Sequence, residues 1–135
     1  MKIIITAPFA KQQVDALRTQ HQVVFLPQDD SAPLRSEAQL HTLLEEEAAE
    51  VFITESDCVT AQVLEGLTQL KLLCVCRSGL NDIDLQACTA HGVAVVNTPG
   101  RNASAVADVV VALFIDMSRY LFEGEKLLRS GQWDN

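Results

Sequence analysis

The sequence is short of basic residues. Ten lysines and arginines stand against eighteen aspartates and glutamates, giving a formal net charge of −8 and an isoelectric point near 4.7. A protein that grips a nucleic-acid backbone needs a basic face to displace counterions, so this class is disfavoured and small molecules or other proteins are the expected partners. Long apolar runs are missing too. Asp108 and Asp116 interrupt the most apolar stretch, leaving nothing close to the roughly 18 uninterrupted residues of a spanning helix. The opening "MKIIITAPFA" has one lysine and a short run stopped by Pro8. That is unlike a secretory signal and reads as a first strand. These absences lead to the expectation of a cytoplasmic chain with no membrane partner.

Metal and nucleophile signatures are equally scarce. Cys58, Cys74, Cys76 and Cys88 have neither CxxC spacing nor histidines at ligand intervals, so reduced structural thiols are expected and no metal site is. Cys74 and Cys76, two apart in an apolar run, should point to one face of a strand. His21, His41 and His91 are scattered; His91 directly precedes Gly92, where an imidazole suits a helix C-terminus better than catalysis. GxSxG, Walker A, HExxH and GxGxxG are all absent, which removes the sequence support for a serine hydrolase elbow, a phosphate loop, a zinc protease helix or a dinucleotide turn.

What is present is a regular alternation. The 135 residues are 48% hydrophobic, enough for a globular core without metal or disulfide support. Five short apolar runs, "KIIIT", "QVVFL", "EVFIT", "KLLCVC" and "GVAVVN", are continuous rather than alternating, the pattern of strands covered on both faces. Between them lie "AKQQVDALRTQ", "SEAQLHTLLEEEAAE", "TAQVLEGL" and "DIDLQACTAHG", with helical signals and, in the last, Gly92 as a stop. Crossover helices imply parallel pairing. The expected fold is therefore α/β: a three-layer, flavodoxin-like, parallel five-stranded sheet with helices on both faces, followed by a C-terminal helical segment.

Ligands of such sheets gather at the carboxyl ends of the strands. Those ends carry Thr6, Ala7 and Pro8; Thr54, Glu55 and Ser56; Arg77, Ser78 and Gly79; and Asn97, Thr98, Pro99 and Gly100. In "CRSGLNDIDL" a turn at Gly79 can line up backbone N–H groups for an anion such as a carboxylate, or can be an ordinary strand-to-helix turn with a capping acid. In "NTPGRNASAVAD", Asn102 is placed as a helix N-cap whose side-chain oxygen reaches the amide of Ser104 or Ala105. The free amides there, with Arg101 nearby, favour an anion; a simple capped helix is the alternative. The helix that follows carries Val106, Val109, Val110, Leu113, Phe114, Met117, Tyr120 and Leu121 on one stripe, and Val111, Ala112 and Ile115 on the opposite side. A helix apolar nearly all round needs cover from a second domain or a partner subunit.

From Leu70 to Trp133 the order of arginine-glycine loop, "DL", "HGVAVVNTPG", "AVAD" and "GQW" resembles the D-isomer-specific 2-hydroxyacid dehydrogenases, which reduce 2-oxo acids with a nicotinamide cofactor. The N-terminal half resembles them mainly in pattern. The resemblance implies that residues 1–100 are an incomplete substrate-binding, or catalytic, domain, and that residues 101–135 are a hinge helix and dimer-arm segment leading toward a dinucleotide-binding domain. It implies that amides around Arg77, Ser78, Gly79 and Leu80 hold the substrate carboxylate, that Asn102 approaches substrate, and that Val106 approaches the nicotinamide. The loop "RSGLNDID" is shorter than the commoner family form, as in one subgroup.

The family's catalytic arginine, glutamate and histidine find no counterpart in these residues. NAD or NADP is the implied cofactor of the full-length enzyme, a 2-oxo or 2-hydroxy acid its substrate and a homodimer its assembly. The chain by itself is expected to bind no cofactor and to be inactive. The competing expectation is a stand-alone module that holds a small carboxylate without chemistry. A phosphoacceptor domain shares the expected strand order but needs acids where this chain has "TAP" and Thr54, and "TAPFAKQ" is no hydroxyl-rich flavin phosphate loop.

Overall fold

The computed structural model describes residues 1–29 and 31–132. They divide into two compact units, Met1–Pro99 and Gly100–Asn135. In the first, strand and helix alternate: β1 (Lys2–Ile5), α1 (Lys11–Arg18), β2 (Gln22–Phe25), α2 (Glu37–Glu46), β3 (Val51–Thr54), α3 (Ala61–Leu64), β4 (Leu72–Val75), α4 (Leu85–Ala90) and β5 (Ala94–Asn97). Every ladder is parallel and the order is β2-β1-β3-β4-β5, the flavodoxin-like order expected from the sequence. Each of the five apolar runs supplies one four-residue strand.

Side chains alternate across the pleat, so each strand feeds two layers. Ile4, Phe52 and Leu73 face a core closed by Leu40 and Leu44 of α2, Val63 and Leu64 of α3, and Cys88 of α4. Full burial of an aliphatic or aromatic side chain contributes about 1.5–3 kcal/mol, which makes this the layer that holds the sheet. Ile3, Ile5 and Val51 face the other way, against partly buried Phe9 and Leu17. Cys74 and Cys76 share that second side, as their spacing requires.

Both faces of the sheet are packed, but unequally. Along β4, Leu73 and Val75 are buried while Leu72 and Cys74 are only half-buried, and Val96 of β5 is 49% exposed. A continuous apolar run shows that neither face needs a polar residue; it does not show that both are sealed.

Local chemistry sets the helix ends. Ser36 and Gln39 form a reciprocal capping box at the start of α2, satisfying two otherwise orphaned amides. Asp84 caps α4, its Oδ1 accepting from the Ala87 amide at 2.9 Å. His91 closes the same helix with Nδ1 2.9 Å from the Ala87 carbonyl oxygen, and Gly92 follows at φ +69°, a left-handed conformation that glycine adopts without steric cost. The helix expected over "TAQVLEGL" is cut to one turn, because the chain leaves helical geometry at Glu65 and turns left-handed at Gly66, φ +77°.

The second unit comprises α5 (Ala103–Arg119) and α6 (Leu121–Arg129). Tyr120, at φ +55°, separates them. The break is supported by Asp116, whose carbonyl accepts from the Tyr120 amide at 2.6 Å and whose Oδ1 accepts from the Phe122 amide at 2.8 Å. No residue of either helix is buried; Phe114 is 72% and Met117 76% exposed. Trp133 of the "GQW" motif lies outside the described residues. Among those residues no helix is long and apolar enough to cross a membrane.

Candidate substrate-binding site

The carboxyl ends of β1, β3, β4 and β5 meet in two hydrogen-bonded clusters. The first is buried. Thr6, Thr54 and Asp57 are the three buried polar residues among those described, with Asp57 only 3% exposed. Asp57 Oδ2 accepts from the Thr6 hydroxyl at 2.5 Å and from the Thr54 hydroxyl at 2.7 Å, while the Thr54 hydroxyl oxygen accepts from the Asp57 amide at 3.1 Å. Oδ1 has no hydrogen-bond partner among the described residues, and Arg35 brings a guanidinium nitrogen within 3.7 Å of it. Arg35 is itself held by the Leu26 carbonyl at 2.9 Å and Gln28 Oε1 at 3.0 Å. A carboxylate is expensive to remove from water unless donors and a cation accompany it; here two hydroxyls and Arg35 do so.

The second cluster is the loop that leaves β4. Arg77 Nη1 donates to the Glu55 carbonyl at 3.1 Å and lies 3.0 Å from Asp82 Oδ2. On the other side, Asn97 Nδ2 donates to the Ser78 carbonyl at 2.8 Å, the Thr98 amide to the Arg77 carbonyl at 3.2 Å, and the Ser78 hydroxyl to the Thr98 carbonyl at 3.4 Å. Further along, the Val59 and Asp84 amides bond across to the Asp82 and Val59 carbonyls at 2.9 and 2.8 Å, a short parallel bridge centred on Val59 and Ile83. The loop is thus fixed at both shoulders. The amides of Gly79 and Leu80 between those shoulders have no hydrogen-bond partner among the described residues, and Gly79 is exposed. Gly79 does not use a left-handed conformation; the positive-φ glycines are Gly66, Gly92, Gly100 and Gly131.

The sequence-derived site residues therefore divide. Ser78, Gly79 and Leu80 lie on the supported loop, and Arg77 directs its guanidinium to Glu55 and Asp82. Asn102 and Val106 belong to the second unit. Asn102 does occupy the N-cap of α5, but its side chain makes no capping bond, which corrects the expected contact with Ser104 or Ala105. With φ −112° and ψ 17° it sits outside the extended region from which an N-cap side chain normally reaches back to the first turn. Val106 is 50% exposed.

Sequence reading missed Asp57 and Arg35. The signal for Asp57 was "TESD", a threonine at a strand end followed three residues later by an acid, a spacing that lets hydroxyl, carboxylate and backbone close a turn. Arg35 had none, because its partner lies across two loops.

Other chemistry at these ends is limited. No group of three or more potential metal-binding His, Cys, Asp or Glu side chains occurs among the described residues. The Cys58 thiol is pushed above its ordinary range by desolvation, and the Glu37 and Asp82 carboxylates push it in the same direction, opposite to the activation a nucleophilic cysteine needs. A dinucleotide fares no better on the first unit. The β1–α1 turn contains no glycine, its Thr6 hydroxyl is engaged by Asp57, and Ala10 offers α1 no side-chain cap. Pyrophosphate recognition at such a turn needs close backbone approach and free donors, so these residues do not fit NAD or NADP.

Fold and loops together define an α/β domain whose polar, hydrogen-bonded loops gather at the carboxyl ends of an open parallel sheet. Comparison with known proteins makes this specific: residues 3–123 match the catalytic domain of the D-isomer specific 2-hydroxyacid dehydrogenases, and the chain belongs to that family. Glyoxylate reductase of Thermofilum pendens is 29% identical over 98% of this chain and 38% of its own length. D-3-phosphoglycerate dehydrogenase of Archaeoglobus fulgidus is 24% identical over 99% of this chain and 24% of its own. Among solved structures, the TT0316 protein from Thermus thermophilus superposes with a TM-score of 0.79 at 26% identity, covering 100% of this chain and 42% of that one. The chain thus spans about two fifths or less of the length of these relatives.

Proposed function

We propose that these residues form the substrate-carboxylate-binding part of an NAD(P)-linked D-2-hydroxyacid dehydrogenase acting on a 2-oxo or 2-hydroxy acid. The observation that carries this reading is the loop after β4. Its shoulders are fixed by Arg77 to Glu55 and by Asn97 to Ser78, and the Gly79 and Leu80 amides between them have no protein acceptor among the described residues. Two adjacent fixed N–H donors suit a carboxylate, and their preorganisation lowers the ordering cost of binding. Arg77 contributes by holding the loop, Ser78 by its place in it. Asn102 and Val106 keep, as part of the same proposal, the substrate and nicotinamide roles implied by resemblance.

The 135 residues alone are proposed to catalyse no hydride transfer. Reduction of a 2-oxo acid needs a hydride donor held at the carbonyl carbon and an acid at its oxygen. The β1–α1 turn does not suit a dinucleotide pyrophosphate, and the first acid on the β4 loop, Asp82, is paired with Arg77. A second copy of the chain is the proposed cover for the apolar surface of α5, giving a homodimer, and the proposed compartment is the cytoplasm.

The test is a titration of the purified chain with NADH and, separately, with oxalate, a carboxylate that does not hydrate as a 2-oxo acid does. Saturable shifts of the Gly79 and Leu80 amide resonances with oxalate, and no saturable NADH fluorescence change, are expected. Silent amides would refute the carboxylate site; NADH-dependent reduction of glyoxylate by this chain would refute its proposed inactivity.

A further inference from the structure

In the strand order β2-β1-β3-β4-β5 the winding direction reverses between β1 and β3, and it is at such a reversal that an open α/β sheet leaves a crevice for ligands. Here side chains of the chain itself join the two strands at that reversal. Thr6 extends β1, Thr54 ends β3, and the Asp57 carboxylate joins them with hydrogen bonds of 2.5 and 2.7 Å. The charge is buried, paired with Arg35 at 3.7 Å, and so placed that Thr54 and Asp57 close the turn over Glu55 and Ser56 from both directions.

That turn exports one group toward the neighbouring loop. The Glu55 carbonyl accepts from Arg77 at 3.1 Å, and Arg77 is the first residue of the loop whose Gly79 and Leu80 amides the proposed function uses. The Arg77–Asp82 pair alone could not fix the loop well, since the two side chains are 45% and 49% exposed and solvent-exposed pairs restrain weakly. A carbonyl in a turn that a buried, charge-assisted cluster closes is a firmer anchor.

We propose that Asp57 is a positioning residue for the carboxylate-binding loop, acting through the Thr54–Asp57 turn, the Glu55 carbonyl and Arg77. It touches no ligand. Its role is to set the height and orientation of the Gly79 and Leu80 amides, so that a buried acid at the strand reversal determines how well an anion binds beyond the next strand. This rests on the carboxylate-loop reading above.

The experiment measures oxalate affinity of the 135-residue chain from the Gly79 and Leu80 amide shifts, alongside thermal unfolding, for wild type, Asp57→Asn, Thr54→Val, Thr54→Ser and Arg77→Met. Asp57→Asn and Thr54→Val are expected to weaken oxalate about tenfold or more, with Thr54→Ser restoring affinity because it keeps the hydroxyl. In the Arg77→Met background, Asp57→Asn should add little further loss, since the same connection is already broken; independent effects would multiply instead. If Asp57→Asn does not fold, the Thr54→Val and Thr54→Ser pair decides alone. Folded variants that lower the melting temperature but keep wild-type oxalate affinity would overturn the proposal and leave the carboxylate site standing. A wild-type chain whose two amides ignore oxalate would overturn both.

Discussion

Asn97, the last residue of β5, donates from Nδ2 to the Ser78 carbonyl at 2.8 Å, tying the end of one strand to the loop that leaves its neighbour. The bond fixes the shoulder of that loop opposite Arg77 and orients the peptide that precedes Gly79. Asn97→Ala removes a single side-chain hydrogen bond, a change of roughly 0.5–1.5 kcal/mol. Its effect should fall on binding more than on the core, because Asn97 is only partly buried. The expected outcome is oxalate affinity reduced about 3- to 10-fold, with the unfolding midpoint lowered by a few degrees at most. Unchanged affinity by amide titration would show that Ser78 needs no such support.

Two glycines of the first unit should respond in opposite ways to alanine. A Cβ on Gly79 would meet only Asn81 Nδ2, at 4.0 Å, and its φ is not in the left-handed region. Gly79→Ala should therefore leave stability unchanged or raise it by about 0.4–1 kcal/mol through the unfolded chain. The same methyl stands beside the amide proposed to hold the carboxylate, so oxalate affinity should fall. Gly92 has open space around it but sits at φ +69°; Gly92→Ala should cost about 1–2 kcal/mol without touching oxalate binding. Urea unfolding and amide titration on both variants separate the two effects, and loss of stability in Gly79→Ala would contradict the geometry.

Strand order was legible because each apolar run is short, and the segments between them are long enough for a helical crossover. The stop at Gly92 and a capping acid before α4 were legible because they are local in sequence, though the acid stood as an alternative to an anion-binding turn and only the structure assigns it to Asp84. The buried acid was not, since Asp57 follows β3 among polar residues and its burial depends on Thr6 and Arg35, both distant in sequence. Nor was the direction of Arg77: an arginine beside a serine and a glycine reads as an anion ligand, whereas its partners are a carbonyl and an acid supplied by the folded loops. The Asn102 cap failed for a backbone reason, because residue type marked the helix start correctly but its φ and ψ moved the side chain off the first-turn amides.

The second unit predicts self-association. Val109, Val110, Phe114 and Met117, on one stripe of α5, are 57–76% exposed, and exposed apolar side chains grouped in this way mark an interaction surface. Sedimentation of the 135-residue chain should reveal a concentration-dependent dimer. Phe114→Glu with Met117→Glu should return it to a monomer, as like charges and lost apolar area both oppose contact. A wild-type chain that stays monomeric at high concentration would remove the second copy as the cover of α5.

The cysteines give the pH dependence a definite sign. Desolvation is the leading cause that raises both the Cys74 and Cys88 thiols above their ordinary value of 9.0, with Cys76 acting on the first and Asp84 on the second. A thiol that holds its proton longer in the folded than in the unfolded chain makes unfolding release protons once the unfolded thiol begins to ionise. Stability is then unaffected at neutral pH and falls as pH rises past about 9 through the folded-state values. Urea unfolding at pH 7.5 and at pH 10 should show this loss. The informative quantity is the difference from Cys74→Ala combined with Cys88→Ala, which should flatten the alkaline slope even though the cavities it creates lower stability at both pH values. An identical slope in that variant would mean that neither thiol is held protonated by its surroundings, and that the half-covered β4 face around Cys74 is better hydrated than its packing implies.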